Sequence, residues 1–95
     1  MLVLVFDTET TGLPAKGNPS VFTEKEKWPH IIQLSYLLYD VTNKKVITCV
    51  DEIIKLDESV VISEESIKIH GITRSKSERK GIIISEALKK FYISL

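Results

Sequence analysis

The sequence is poor in the features that build disulfide frameworks, cysteine metal sites or membrane spans. Its single cysteine, Cys49, cannot form a disulfide within the chain and gives no cysteine spacing for a zinc site. The apolar run that opens the chain, Met1 to Phe6, has no basic residue before it and is too short for a signal peptide or a membrane span. We therefore expect a cytoplasmic protein that does not bind a membrane.

An excess of either charge is also missing. The 95 residues include 13 basic and 13 acidic side chains, so no net field draws the chain towards nucleic acid. Basic residues are nevertheless concentrated between Thr73 and Lys90. This segment either approaches phosphate groups or forms the solvated face of a helix, and the second interpretation is favoured because short charge runs usually have that role.

The hydropathy pattern predicts strands first and helices afterwards. Leu2 to Phe6 is continuously apolar, which is typical of a strand covered on both faces. Residues 31–40 and 46–54 are rich in β-branched and aromatic residues and predict two further strands, joined by a turn at Asn43 and Lys44. The short second connection predicts that the sheet starts with three antiparallel strands.

Three helices are predicted after Asp57. Ser63 and Thr73 are suited to cap two short helices, which Gly71 and Gly81 would end. A third helix is expected from about residue 85. Its apolar stripe consists of Leu88, Phe91, Tyr92 and Leu95. The stripe reaches the last residue without a stop signal, so we expect the sequence to hold only part of a fold.

The first strand leads into two acids, Asp7 and Glu9. Residues two apart in a strand point to the same face, so both carboxylates project together from a rigid element. Mg²⁺ and Mn²⁺ prefer oxygen ligands, and Mg²⁺ often takes one or two protein carboxylates with phosphate and water as its other ligands. The threonines and glycine that follow, residues 10–12, can turn the backbone and present N–H and hydroxyl groups to a phosphate.

The spacing of the acid pair allows three other interpretations. A calcium loop of the EF-hand type would need an acid where Asn18 stands and a helix where the strand is, so it is rejected. The magnesium strand of nucleotide hydrolases requires a glycine-rich phosphate loop followed by lysine, which the sequence lacks. A third interpretation, two acids in an exposed turn, stays open on spacing alone.

The string from Val5 to Leu13, VFDTETTGL, closely resembles the first motif of the DEDD 3′–5′ exonucleases. These ribonuclease H-like nucleases include ribonuclease T and the proofreading subunit of bacterial DNA polymerase III. Residues 28–35, WPHIIQLS, resemble the start of the family's second strand, and residues 69–73, IHGIT, resemble the segment that lines its nucleotide pocket. The resemblance implies an α/β, ribonuclease H-like mixed sheet, of which residues 1–95 form the N-terminal part of one exonuclease domain.

The resemblance also implies roles for individual residues. Asp7 and Glu9 would be the catalytic metal ligands, in a complete site that holds two Mg²⁺ or Mn²⁺ ions. The residues expected to contact the 3′-terminal nucleotide are Thr10, Thr11, Leu13, Ile69 and His70. For His70, a role as a polar residue in the last turn of a helix is equally open.

Two functions follow as hypotheses. The first is two-metal-ion hydrolysis of phosphodiester bonds at a single-stranded 3′ end of DNA or RNA, with DNA the expected substrate and a polymerase or the missing C-terminal half as a protein partner. The family needs four acids and a histidine or tyrosine base, and only Asp7 and Glu9 can be assigned here, so the truncated chain alone is expected to be inactive. The second is a non-catalytic fragment that acts as a binding or assembly module.

Overall fold

A computed structural model of the protein describes residues 1–12, 17 and 28–94. Its elements in chain order are β1 (Leu2–Thr10), β2 (Ile31–Asp40), β3 (Lys45–Lys55), α1 (Glu64–His70), α2 (Arg74–Lys80), β4 (Ile82–Ile83) and α3 (Ile84–Ser94). Strands β1, β2 and β3 form an antiparallel meander, and β4 adds to β3 in parallel, giving the order β1-β2-β3-β4. The predicted α/β class and the antiparallel start of the sheet are confirmed.

Helices α1 and α2 begin and end at the predicted residues. The Ser63 hydroxyl accepts the N–H of Ser66, and Gly71 ends α1 with a left-handed φ of 72°, a conformation that favours glycine. Thr73 caps α2 in the same way as Ser63 caps α1. Together the two short helices form the crossover connection that a parallel pairing of β3 and β4 requires.

Strand β4 was not predicted from the sequence. Ile82 and Ile83 pair with Ile54 and Lys55, immediately after Gly81. A side chain at position 81 has no room, because its Cβ would lie 2.5 Å from the Lys55 nitrogen. Glycine therefore lets the chain approach β3 closely enough for the two-residue strand to form.

The core lies between the sheet and the helices. Its buried members are Ile32, Ile54, Leu56, Ile72 and Ala87. Ser77 of α2 is fully buried beside them; its hydroxyl donates to the Ile54 carbonyl at 2.7 Å and accepts the Leu56 N–H at 3.2 Å. Helix α2 is thus fastened to the end of β3 by polar as well as apolar contacts.

Strand β1 is less covered than its sequence predicts. Leu2, Val5 and Phe6 expose 58, 57 and 61% of their surface, so the expectation of a strand covered on both faces is wrong for this structure. The reason is its place in the sheet: in the described part of the chain β1 pairs with β2 alone and forms one edge.

Helix α3 packs on only part of the predicted stripe. Ala87 is buried and Phe91 is half-buried, whereas Leu88 and Tyr92 are exposed. The helix follows β4 directly, and the pairing of Ile82 with β3 sets the rotation at which the helix meets the sheet. Leu95, the last member of the predicted stripe, lies outside the described residues. None of the described helices is long and apolar enough to cross a membrane.

Candidate functional site

Asp7 and Glu9 lie near the end of β1, opposite Ser35 and Gln33 of β2. Asp7 is exposed and its Oδ1 accepts the N–H of Thr8 at 2.9 Å, while Glu9 is half-buried. Strand alternation places the two carboxylates on the same face. Both acids thus belong to β1, the strand that their predicted juxtaposition requires.

The strand pairing is irregular directly after the acids. Glu9 is opposite Gln33 but Thr10 is opposite Ile31, so Ile32 is an extra residue in β2. An extra residue bends a strand pair locally and redirects nearby side chains, and such bulges are common beside active sites. Here Ile32 is completely buried, which fixes the bulge in the core.

The acids occupy the sheet face that α3 does not cover. The Phe91 ring contacts Tyr36 and Phe6 with ring centroids 4.9 and 5.9 Å apart, so α3 covers the face of these even-numbered positions. Asp7 and Ser35 alternate with them and point to the other side. A depression of about 320 Å³ is lined in part by Asp7, Ser35 and Asp51.

A polar row continues from the acids across the sheet. Gln33 Nε2 and Ser35 Oγ both donate to Asp51 Oδ1, at 2.7 and 2.9 Å. The sequence shows Gln33 and Ser35 only as interruptions of an apolar strand, because their acceptor lies on β3. Within the described ranges, no three histidine, cysteine or acidic side chains are grouped closely enough to hold a metal ion.

The turn that follows Glu9 is held by backbone contacts. Thr11 is buried; its N–H donates to the His30 carbonyl, its hydroxyl accepts the His30 N–H, and its carbonyl accepts the Ser63 N–H, all at 3.0 Å. The Thr10 hydroxyl donates to the Gly12 carbonyl at 2.8 Å. The hydroxyls of Thr10 and Thr11 therefore stabilise the turn through hydrogen bonds to backbone groups.

The segment predicted to line the nucleotide pocket also reaches this turn. His70 is half-buried and its Nε2 lies 3.1 Å from the Thr10 carbonyl oxygen, while Ile69 beside it is 80% exposed. The structure thus brings His70 to the turn that contains Thr10 and Thr11. His70 and Thr10 are 60 residues apart in the sequence. Leu13, the remaining predicted nucleotide contact, lies outside the described residues.

The basic segment does not converge on the acids. Arg74 donates to the Asp57 carbonyl, and Lys90 pairs with Glu52 at 3.1 Å. Glu52 is opposite Leu34, so this pair belongs to the face that packs on the helices. The geometry supports the interpretation of the segment as a solvated helix face.

Comparison with known protein families decides the class of protein. A family model described as an exonuclease, of the RNase T type, matches residues 4–93. The chain belongs to the RNase T exonuclease family. No curated protein matches the sequence.

Solved structures share the fold of this RNase T family chain. The nuclease domain of 3′hExo, a DEDDh family member bound to rAMP, is 20% identical with a TM-score of 0.68, over 96% of this chain and 42% of that one. Cell-death related nuclease 4 is 18% identical with a TM-score of 0.67, over 96% and 28%. A 3′-exonuclease that recognises the 3′ end of histone mRNA stem-loop is 20% identical with a TM-score of 0.66, over 95% and 36%. The chain thus spans less than half the length of these three proteins.

The residues present in this RNase T family chain suit a hard divalent cation. Exonucleases of the DEDD type generally depend on divalent metal ions. Asp7 and Glu9 offer two carboxylates on one exposed sheet face, which matches the oxygen ligands and the small number of protein carboxylates that Mg²⁺ takes.

Proposed function

We propose that the protein carries the first catalytic motif of a metal-dependent 3′–5′ exonuclease of nucleic acid, with DNA as the proposed substrate. The observation that supports it most is the position of Asp7 and Glu9 on the uncovered face of β1, directly before the braced turn of residues 10–12. The family match over residues 4–93 gives this pair its chemical context. The reaction takes place in the cytoplasm.

Asp7 and Glu9 would hold the divalent ions, Mg²⁺ or Mn²⁺. Bound there, two such ions would supply activation of the attacking water and stabilisation of the leaving oxygen of the phosphodiester. The chain's own contribution is to hold both carboxylates on a rigid strand and to set the turn beside them. We assign Thr10, Leu13 and Ile69 to direct contact with the 3′-terminal nucleotide. Thr11, predicted as a fourth contact, is buried and hydrogen-bonded to His30 and Ser63, so we assign it to holding the turn.

The class of ligand is supported by two of the solved structures. One has rAMP bound to its nuclease domain, and another recognises the 3′ end of an RNA stem-loop. A nucleotide with a free 3′ end is the chemistry that they share. For this chain we propose a single-stranded 3′ end as substrate and, as protein partner, a polymerase or a C-terminal half that completes the site.

Metal binding by the 95-residue chain tests the proposal. Titration with Mn²⁺ should show binding to the wild type and its loss in the Asp7→Asn/Glu9→Gln double variant, because both carboxylates are needed. Asp51→Asn is the matched control: it removes a carboxylate from the same face whose Oδ1 already accepts two hydrogen bonds. Equal Mn²⁺ affinity in all three proteins would contradict the assignment of Asp7 and Glu9.

One observation favours a second function, that of a binding or assembly module. In the described part of the chain, no third histidine, cysteine or acidic side chain joins Asp7 and Glu9 to form a metal-binding group. A chain that never gains nuclease activity, even when the other motifs are supplied, would have this role. Joining the chain to a C-terminal half that supplies the other motifs, and testing the product for 3′–5′ cleavage, separates the two functions.

A further inference from the structure

Helix α1 contacts the turn after Glu9 at both of its ends. At its beginning, the N–H of Ser63 donates to the Thr11 carbonyl at 3.0 Å. At its end, the His70 ring reaches the Thr10 carbonyl at 3.1 Å. The two carbonyls belong to consecutive residues, so one seven-residue helix fixes the path of the chain immediately beyond the acid pair.

Both nitrogens of the His70 ring are engaged by the protein. The backbone N–H of Ile72 can only donate, and it lies 3.0 Å from Nδ1, which must therefore be the unprotonated nitrogen. Nε2 then carries the proton and donates it to the Thr10 carbonyl. A ring held in this way has no nitrogen left to hydrogen-bond a nucleotide.

The anchor of the ring is firmly placed. Ile72 is 2% exposed and belongs to the core cluster, so the Nδ1 contact connects the imidazole to the hydrophobic core. Thr10, the residue at the other end of the ring, follows Glu9 directly. The imidazole therefore connects the core to the backbone next to Glu9, a proposed metal ligand.

We propose that His70 is a positioning residue: its neutral ring, protonated on Nε2, links the Thr10 carbonyl to the Ile72 N–H and so holds the Glu9 carboxylate in its metal-binding position. This inference rests on the proposed function. It replaces the direct nucleotide contact that the resemblance implies for His70.

Side-chain amides can separate the two contacts of the ring. Glutamine places its Nε2 donor near the position of histidine Nε2, and asparagine places its Oδ1 acceptor near that of Nδ1. His70→Gln should keep the contact to Thr10 and lose the one to Ile72, His70→Asn should do the reverse, and His70→Leu should lose both. His30→Asn is the matched control. In the hydrogen bonds described for His30, its backbone N–H and carbonyl contact the turn and its ring does not.

Mn²⁺ affinity and amide signals are measured on the full chain. We expect His70→Asn and His70→Leu to bind Mn²⁺ about 10-fold more weakly, as is usual when a residue that orients a metal ligand is lost, and His70→Gln and His30→Asn to stay near wild type. The Thr11 amide signal, which follows the Thr10 carbonyl, should shift in the Asn and Leu variants only. Exchange of the Ile72 amide should become fast in the Gln and Leu variants only.

The outcomes separate this inference from the proposed function. Equal Mn²⁺ affinity in all His70 variants, or weakening that follows their melting temperatures instead of the donor at Thr10, would overturn the positioning role. If the wild type binds no Mn²⁺, the proposed function fails. The Thr11 amide signal then tests the hydrogen bond between the His70 ring and the Thr10 carbonyl by itself. An unchanged signal in His70→Asn rejects this hydrogen bond, and a shift confined to the Asn and Leu variants supports it.

Discussion

Ser77 illustrates what a single buried hydroxyl contributes to this fold. Its hydroxyl hydrogen-bonds to two backbone groups at the end of β3, the Ile54 carbonyl and the Leu56 N–H. We expect Ser77→Ala to lower the free energy of unfolding by about 1–3 kcal/mol, the cost of leaving buried polar groups without a hydrogen bond. Ser75→Ala, on the exposed face of the same helix, should change it by less than about 0.5 kcal/mol. Urea unfolding of both variants measures the difference, and equal stability would contradict the role of Ser77.

Asp40, beside the turn between β2 and β3, makes the stability of the fold depend on pH. Hydrogen bonds from the Asn43 side chain and backbone hold the pKa of Asp40 below its ordinary value of 3.8. A lowered pKa means that the ionised form stabilises the fold above pH 3.8 and that this stability is lost as the pH falls through the lower, folded value. Wild type should therefore melt at a higher temperature than Asp40→Asn at pH 7, with the gap closing in strong acid. A gap that is independent of pH would show that the charge is not responsible.

Single-residue roles differ in how far they can be read from the sequence. The pairing of Asp7 with Glu9 depends only on strand alternation, so it is predictable once the strand is recognised. The contact of His70 with the Thr10 carbonyl joins a side chain to a backbone group 60 residues away and has no local signal. The same holds for Asp51, whose two donors lie on the neighbouring strand.

At the scale of elements, neighbouring aromatic residues show which face of α3 packs on the sheet. Phe91 contacts the rings of Tyr36 and Phe6, whereas Tyr92 is 78% exposed, although the apolar periodicity treats them alike. Phe91→Ala should lower the free energy of unfolding by about 2 kcal/mol, less than a fully buried phenylalanine, and Tyr92→Ala by less than about 0.5 kcal/mol. Chemical denaturation of both variants measures this. A larger loss in Tyr92→Ala would favour the stripe expected from the sequence.

Element boundaries followed from the sequence wherever a local chemical signal marked them. Ser63 and Thr73 begin helices and Gly71 ends one because capping depends on neighbouring backbone groups. Strand β4 has no such signal: two isoleucines after a glycine resemble the start of the next helix, and their pairing with β3 arises only when the crossover is complete. The face of α3 follows from that pairing, which explains why both were missed together.

At the scale of the described molecule, the acids and helix α3 lie on opposite sides of one sheet. Helix α3 and the core cover the face of Ile32, Leu34 and Tyr36, and the other face exposes Asp7 on the edge strand β1. Among the described residues this arrangement leaves Asp7 exposed and Glu9 half-buried at the surface of the sheet. The motif can therefore serve as one side of a composite site, as the proposed completion by a C-terminal half requires.

Cleavage is the property that depends on the whole site. With two of the four expected carboxylates and no assigned general base, the 95-residue chain should leave a 3′-labelled single-stranded DNA intact in Mg²⁺ or Mn²⁺, because a positioned base alone contributes about 10²–10⁴-fold to the rate. When residue 95 is joined to the C-terminal half of another RNase T family exonuclease, degradation from the 3′ end should appear. It should be abolished by Asp7→Asn and retained in Asp51→Asn. Cleavage by the unjoined chain that depends on Asp7 would show that the site is already complete, and a folded chimera without activity would favour the binding or assembly module.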